Sequence, residues 1–270
     1  YKKFNNLSRQ VYRPGKTLLD YFDSFDSLSP FRDNPERTYL YSGENFKNIG
    51  LSGSNMAAFI ASDHDRRGVR KSSIINKVSK WFDYARIAKS VSIKRLTSRH
   101  FELCLTSNDG STHNICDVGF GCSQVLPVLV SGYNIFSEEN KSGIFIVQEP
   151  EIHLHPNAQA AMGSFFVELA QGNGQIFVET HSDNLILRVA RHVALGHLSP
   201  NDVQIIHVSD VESHKVTEIG IDKFGSFTKK FPEDFFPQRK KESFNLARAG
   251  MLAEEEEIFV KKPFEYPESN

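Results

Sequence analysis

The stretch Gly143-Ile144-Phe145-Ile146-Val147-Gln148-Glu149-Pro150-Glu151-Ile152-His153-Leu154-His155-Pro156 decides the fold. Four consecutive apolar residues, Ile144 to Val147, predict a strand buried on both faces of a parallel sheet. Gln148 and Glu149 then fall at its tip. Pro156 opens a helix where its missing N–H costs nothing. Ala158, Met162, Phe165, Phe166 and Leu169 form the inner stripe of that helix, and Gly172 and Gly174 stop it. Ile176-Phe177-Val178 repeats the buried-strand pattern and ends in Glu179-Thr180-His181. Leu185, Ile186, Leu187, Val189 and Val193 predict a second helix, ending near Gly196. Val203 to Val208 and Lys215 to Ile221 read as a third and a fourth strand. Strands alternating with helices over short links predict an α/β fold with a parallel sheet flanked by helices. In such sheets ligands bind beyond the carboxyl ends of the strands, where Gln148-Glu149 and Glu179-Thr180-His181 lie.

Upstream the pattern is different. Residues 1 to about 75 are rich in Ser, Asn, Asp and Arg, with turn signals at Arg13-Pro14-Gly15, Ser29-Pro30, Asn34-Pro35, Ser42-Gly43 and Ser52-Gly53. They predict a loop-rich lobe with short helices. Residues 74 to 89 have helical spacing. Val91 to Leu96 and Phe101 to Leu105 predict paired strands, and Asn108-Asp109-Gly110 a tight turn. The organisation expected is a loop-rich and helical lobe over 1–90, a core lobe over 91–240 and a surface tail over 241–270, with the acidic run Glu254–Glu257 solvated.

The 270 residues are 39% hydrophobic and 24% charged, enough apolar mass for a core, so dominant disorder is excluded. Lys plus Arg is 32 and Asp plus Glu is 33, a net charge of −1, which leaves no global basic field for nucleic acid. No apolar run approaches the roughly 20 residues of a membrane helix. No signal-peptide pattern opens the sequence. The three cysteines (Cys104, Cys116, Cys122) form no CxxC pair. The expectation is a cytoplasmic protein without a structural disulfide or membrane partner.

Three clusters carry candidate chemistry. Glu149 at a strand tip can act as general base on a water or hold a magnesium ion; the bland alternative is a strand that happens to end in Glu-Pro. His181, at the end of the neighbouring strand, can reach a phosphate or the attacking water as a neutral imidazole. Its alternative is a strand-end residue before a helix capped by Ser182 or Asp183. The run Asp117-Val118-Gly119-Phe120-Gly121-Cys122-Ser123-Gln124 leads into a helix predicted over Val125–Val130. Its glycines permit close approach to an anion, and Ser123 and Gln124 are expected at the helix N-terminus. The alternative is a plain glycine turn.

Gln148 through Pro156, followed by Glu179-Thr180-His181-Ser182, resembles the ABC-type ATPases of the SMC-like and OLD-like groups, and Asp117 to Gln124 resembles their signature motif. More closely, the chain is similar to bacterial AAA-family ATPases with a DUF3696 carboxy-terminal segment. That similarity takes in Pro30-Phe31-Arg32 through Arg37-Thr38-Tyr39, Gly50 to Gly53, Ile221-Asp222-Lys223-Phe224-Gly225 and Phe231 to Phe236, and covers about residues 28–240. The resemblance implies a P-loop NTPase head that hydrolyses ATP with Mg2+ in a dimer sandwich. Glu149 matches its catalytic glutamate and His181 its switch histidine. Gly121, Ser123 and Gln124, with Asp117 and Gly119 beside them, match the loop that contacts the γ-phosphate of ATP on a second subunit. It further implies control of an associated nuclease or toxin in antiphage defence, with DNA or RNA as a further partner.

The sequence departs from that pattern twice. The usual magnesium-side Asp is Gln148, which brings no charge and would reach a metal only through a water. The Walker A loop has no counterpart: Gly15-Lys16-Thr17 has Gln10 where its first glycine belongs, and Pro14 removes an N–H from the cradle. The family's P-loop is expected upstream of Tyr1. A non-catalytic dimerising scaffold for an effector is the second reading. Glu151, His153 and His155 alternate as three metal ligands would, without a fourth. Cys122 beside Ser123 lacks an oriented base. The basic clusters Arg66-Arg67 with Arg70-Lys71, and Arg239-Lys240-Lys241, read as solvated faces or as a nucleic-acid contact. Phe231, Phe235 and Phe236 read as core, or as a partner surface.

Overall fold

The computed structural model describes residues 25–41, 43–44, 46–67, 74–136, 143–172, 174–209 and 215–229. Gly15-Lys16-Thr17, Arg70-Lys71, Phe231 to Phe236, Arg239–Lys241 and Glu254–Glu257 lie outside them. The chain divides into two compact units. One holds the residues through Gln204 together with Gly220–Ser226; the other holds Ile205–Ile219 and the residues from Phe227 onward.

The first unit is built on two sheets. β1 (Phe25–Leu28), β6 (Ile144–Gln148) and β7 (Gln175–Glu179) form a parallel sheet in the order β1-β6-β7. β2 (Tyr39–Leu40), β3 (Ser90–Arg95), β4 (His100–Thr106) and β5 (Thr112–Asn114) form an antiparallel sheet around β4. The helices are α1 (Met56–Arg67), α2 (Ile74–Tyr84), α3 (Phe120–Ile135), α4 (Pro156–Ala170) and α5 (Asp183–Ala194).

The apolar run Ile144–Val147 forms β6 as its composition predicts, but one face dominates its burial. Phe145 and Val147 are fully buried, while Ile144 and Ile146 are half-exposed. β1 comes from the stretch read as loops and short helices. Phe25 pairs with Ile144 and Leu28 with Val147 in parallel register. The polar Asp26 and Ser27 hide it from a pattern search, because one of them, Asp26, is buried against the Ser131 hydroxyl of α3. α3 packs on β1 and β6 and against α1 and α2. Its Val125, Leu126, Val128, Leu129 and Val130 are all fully buried, contributing roughly 1.5–3 kcal/mol each on area grounds. α4 is opened by Pro156 with His155 as N-cap, and packs on β7 and α5. At Gly163 an added Cβ would lie 2.7 Å from the Leu185 carbonyl, so the helix pair needs a glycine there to close.

Three local expectations are corrected. The helix predicted over 74–89 stops at Tyr84, in a turn through Arg86 at φ 58°, and Ile87 and Ala88 come after it as loop. The helix expected at Val125 begins at Phe120. The third and fourth strands do not extend the parallel sheet. They are β8 (Ile205–Val208) and β9 (Val216–Ile219), an antiparallel pair in the second unit. Residues 209–215 between them are too few for the crossover of a dozen or more residues that parallel pairing requires.

Candidate functional site

β6 and β7 deliver their ends to one edge. Gln148 lies opposite Glu179, and the Glu149 N–H continues the ladder by donating to the Glu179 carbonyl at 2.8 Å. At Glu149 the backbone turns left-handed, φ 45°. A non-glycine residue held there costs on the order of 1–3 kcal/mol and persists only where its surroundings fix it. The turn leaves the Glu149 carboxylate 3.9 Å from His181 Nε2. His181 is 79% exposed at its side chain and Glu149 32%, so both groups face an open edge. The structure brings together the two strand-tip groups that the sequence singled out.

Gln148 turns its amide to β7, where Nε2 donates to Glu179 Oε2 at 2.9 Å. Its own side chain brings no charge, but the carboxylate beside it does. Glu179 appears in the sequence only as part of a polar cluster; the parallel register that sets it against Gln148 is what gives it a place here.

Arg32 belongs to the Pro30-Phe31-Arg32 stretch of the sequence resemblance, which gives it no role. It is 7% exposed. Nη2 donates to the carbonyls of Gln148 at 2.8 Å and Glu149 at 3.2 Å, and Nη1 to that of Gln124 at 3.4 Å. Burial lowers its pKa to about 10, against the opposing pull of Glu151 and Glu149. Glu151 is equally buried, and its Oε1 accepts the His181 N–H at 2.6 Å. Its sequence signal was the alternation with His153 and His155, and that alternation does not converge on one point. His153 sets its ring edge-on to Phe120, with centroids 5.0 Å apart, and the His155 imidazole accepts from Asn157 N–H as the cap of α4.

The glycine run places a helix start rather than a free loop. Gly119 is the N-cap of α3, and Gly119 and Phe120 are exposed. Gly121 packs so closely that a Cβ would lie 2.4 Å from the His153 carbonyl oxygen. That contact ties the helix start to the loop after β6. Ser123 and Gln124 sit one turn in, with their side chains turned inward. The Ser123 hydroxyl donates to the Phe120 carbonyl, and Gln124 Nε2 donates to the Asp33 carbonyl at 3.3 Å. Asp117 meets Arg37 through two contacts of 3.0 and 2.5 Å. The guanidinium, first as hydrogen-bond donor and then as charge, holds the Asp117 carboxyl below its ordinary range. Burial pushes the Cys122 thiol up, the opposite of what a thiolate nucleophile needs. Arg66 lies 3.7 Å from the buried Asp63.

The AAA ATPase domain family matches residues 31–186, more than half of the chain. The chain belongs to this family. Its mixed α/β architecture with a parallel sheet is that of a P-loop NTPase, and it is an ATPase-domain protein. No curated protein matches it. Among solved structures, one from a study of ATP-driven dimerization and DNA-stimulated activation of SMC ATPases is 12% identical, with TM-score 0.40 over 65% of this chain and 91% of that one. An Smc head domain from Pyrococcus furiosus, with an extended coiled coil and bound to the C-terminal domain of ScpA, is 14% identical, with TM-score 0.41 over 73% of this chain and 41% of that one. An Smc head domain with a coiled coil and joint from Pyrococcus yayanosii is 13% identical, with TM-score 0.39 over 63% and 29%. The chain therefore spans less than half the length of these last two. The family assignment rests on the match over residues 31–186. Among the described residues, no helix is long and apolar enough to cross a membrane.

Proposed function

We propose that this chain supplies the signature, Walker B and switch-histidine parts of an ATPase head that hydrolyses ATP with Mg2+ across a dimer. The observation that carries the reading is the convergence of Glu149 and His181, 3.9 Å apart, from the ends of adjacent parallel strands. The groups fit a nucleotide phosphate and its attacking water: an exposed imidazole and an exposed helix N-terminus at Gly119–Phe120 to meet the anion, and a carboxylate beside the imidazole to accept the water's proton. Bound MgATP would supply the phosphoanhydride bond to be cleaved and the charge that neutralises it. Glu149 takes the proton of the attacking water. His181 donates a hydrogen bond at the same edge. Gln148 and Glu179 would hold the metal side, Gln148 through a water and Glu179 with the charge that the amide lacks. Asp117, Gly119, Gly121, Ser123 and Gln124 shape the face offered to the nucleotide of a second subunit. Given the inward-turned Ser123 and Gln124, the contact there falls to the backbone of Gly119 to Gly121.

Around that chemistry we place a cytoplasmic homodimer, or higher oligomer, in antiphage defence. Its nucleotide state controls an effector of nuclease or toxin type, DNA or RNA is a further partner, and a DUF3696-type segment closes the chain. The resemblance carried by the sequence motifs supports this outer part. In the full-length protein, Glu149→Gln keeps the shape and removes the base. ATP binding should persist while turnover falls about 100-fold or more, the range of general-base loss. Near-normal turnover removes Glu149 from the chemistry. One observation favours the second reading, a nucleotide-responsive scaffold without turnover: the Gln148 amide, uncharged where the family has an acid, is committed to Glu179. Wild-type protein that binds ATP, dimerises and never releases phosphate would establish it.

A further inference from the structure

Beyond the tip of β6, the ladder loses one side. Leu28 pairs with Val147 and is the last residue of β1, so among the described residues no strand reaches the carbonyls of Gln148 and Glu149 on that flank. Buried carbonyls need donors. Arg32, four positions past Leu28, folds back and supplies them through one nitrogen, at 2.8 and 3.2 Å, while its other nitrogen reaches the Gln124 carbonyl in α3. Asp33 beside it accepts from the Gln124 side chain, and the Asp33 N–H bonds the Ser52 carbonyl. Residues 29–37 are thus a strap stitched to the start of α3 on one side and to the strand tip on the other. The second fastening is Glu151, two residues past Glu149. Its Oε1 holds the His181 N–H at 2.6 Å. Glu151 Oε2 and Arg32 Nε are buried and make no hydrogen bond among the described residues. A cation and an anion this far from water would be costly unless each served the other's field and its own fixed partners.

We infer that Arg32 and Glu151 are positioning residues, a buried pair of opposite charge that holds Glu149 and His181 at their working separation by gripping backbone rather than side chains. Glu149 is gripped on both sides: its N–H goes to the Glu179 carbonyl and its carbonyl to Arg32. That double hold is what keeps a non-glycine residue at φ 45°. His181 is gripped at its N–H alone, which leaves the imidazole exposed while the backbone is fixed. Because Arg32 also touches α3, any shift of the helix start is felt at the carbonyl of the proposed base. The pairing rests on the catalytic reading for its purpose and on the geometry alone for its existence, so the two are tested apart.

The first measurement needs no nucleotide. Amide hydrogen exchange is followed by NMR in the full-length protein and in Glu151→Ala, Glu151→Gln and Arg32→Lys variants. A charged acceptor bound to a buried N–H is worth enough to slow exchange by about tenfold or more. In Glu151→Ala the His181 amide should exchange about tenfold faster, with Glu151→Gln, which keeps an acceptor, in between. The amides of Phe145 and Val147 in β6 should stay as in wild type. A uniform rise across β6 and α3 means ordinary destabilisation and overturns the inference, as does a His181 amide that does not respond. The second measurement is a split of kinetic constants. Arg32→Lys keeps the charge but loses the planar fork. It should lower kcat about tenfold or more while KM for ATP stays within about twofold, because misplacement of a reacting group is felt mainly in the chemical step. Unchanged kcat overturns the role of Arg32. Glu149→Gln with normal turnover would sink the base assignment and leave the exchange result standing; a silent His181 amide would sink the pair whatever Glu149→Gln does.

Discussion

Asp26 places a carboxyl where an apolar strand would be expected to have none. It sits in β1, 7% exposed, and the Ser131 hydroxyl of α3 donates to it. Burial raises its pKa, and the hydrogen bond from Ser131 offsets that only in part. The sign of the consequence comes from linkage. A carboxyl whose folded pKa lies above its unfolded value adds stability in full below the unfolded value, near 3.8. It loses that stability as pH rises through the folded value. Asp26→Asn keeps the shape and an acceptor for Ser131 but removes the titration. Its urea midpoint should match wild type in acid, gain on wild type as pH climbs from about 3.8 to the raised value, and hold that gain above it. A difference that does not change with pH would show that folding leaves the Asp26 pKa where it is in the unfolded chain. The same residue explains a gap in what the sequence disclosed. Strands are found by apolar alternation, and a strand whose inward position is an acid satisfied by a distant hydroxyl carries no such signal.

At the scale of elements, the start of α3 shows how a motif and a packing constraint share residues. Gly119 and Gly121 read alike in the sequence, yet they differ in structure. Gly119 has a φ of −56°, and an added Cβ would meet nothing within 4 Å. At Gly121 the Cβ would strike the His153 carbonyl oxygen at 2.4 Å, a backbone atom that cannot swing aside. Gly121→Ala should therefore destabilise by about 1–3 kcal/mol, as overpacking does. Gly119→Ala should stay within about 0.5 kcal/mol of wild type. Guanidinium unfolding of both variants checks this, and equal losses would show that the closeness at Gly121 is not structural. The legibility of the elements follows the same division. β6, β7, α4 and α5 announce themselves as elements through their apolar runs, but the expected burial on both faces is corrected: β6 buries one face, and β7 buries none of its residues, with Phe177 51% exposed. The beginning of α3 does not announce itself, since Gly119-Phe120-Gly121 looks like a turn and Pro127 sits inside the helix. Arg32 was visible as part of the resemblance, but its role was not. Its value lies in three carbonyls that belong to residues 92 to 117 positions away, and no local pattern encodes which carbonyls a fold will leave without partners.

For the whole molecule, the decisive question is whether a site is completed within one chain or between two. Glu149 and His181 face an open edge, and the helix start at Gly119 and Phe120 is exposed as well. If two heads sandwich the nucleotide, the helix start of one subunit serves the Glu149 of the other, and a closed twofold dimer has two such sites. Gly119 offers the cleanest place to test this. Its position tolerates a side chain, so Gly119→Arg places bulk at the proposed contact without entering the core, as Ser123→Arg would, given that Ser123 is 5% exposed. Alone, Gly119→Arg should abolish hydrolysis and leave ATP binding nearly intact, and Glu149→Gln alone should do the same. In a heterodimer of the two, one site joins an intact Glu149 to an intact helix start, and the other site carries both defects. Random mixing at equal amounts makes half of the dimers hetero, with one of two sites alive. Phosphate release should therefore recover to about a quarter of wild type. Recovery of that size cannot arise from sites completed within single chains, since every chain in the mixture is defective. A mixture that stays inactive, although mass spectrometry shows that heterodimers form, would mean that the helix start and Glu149 serve the same nucleotide from the same subunit, or that neither site fires without the other.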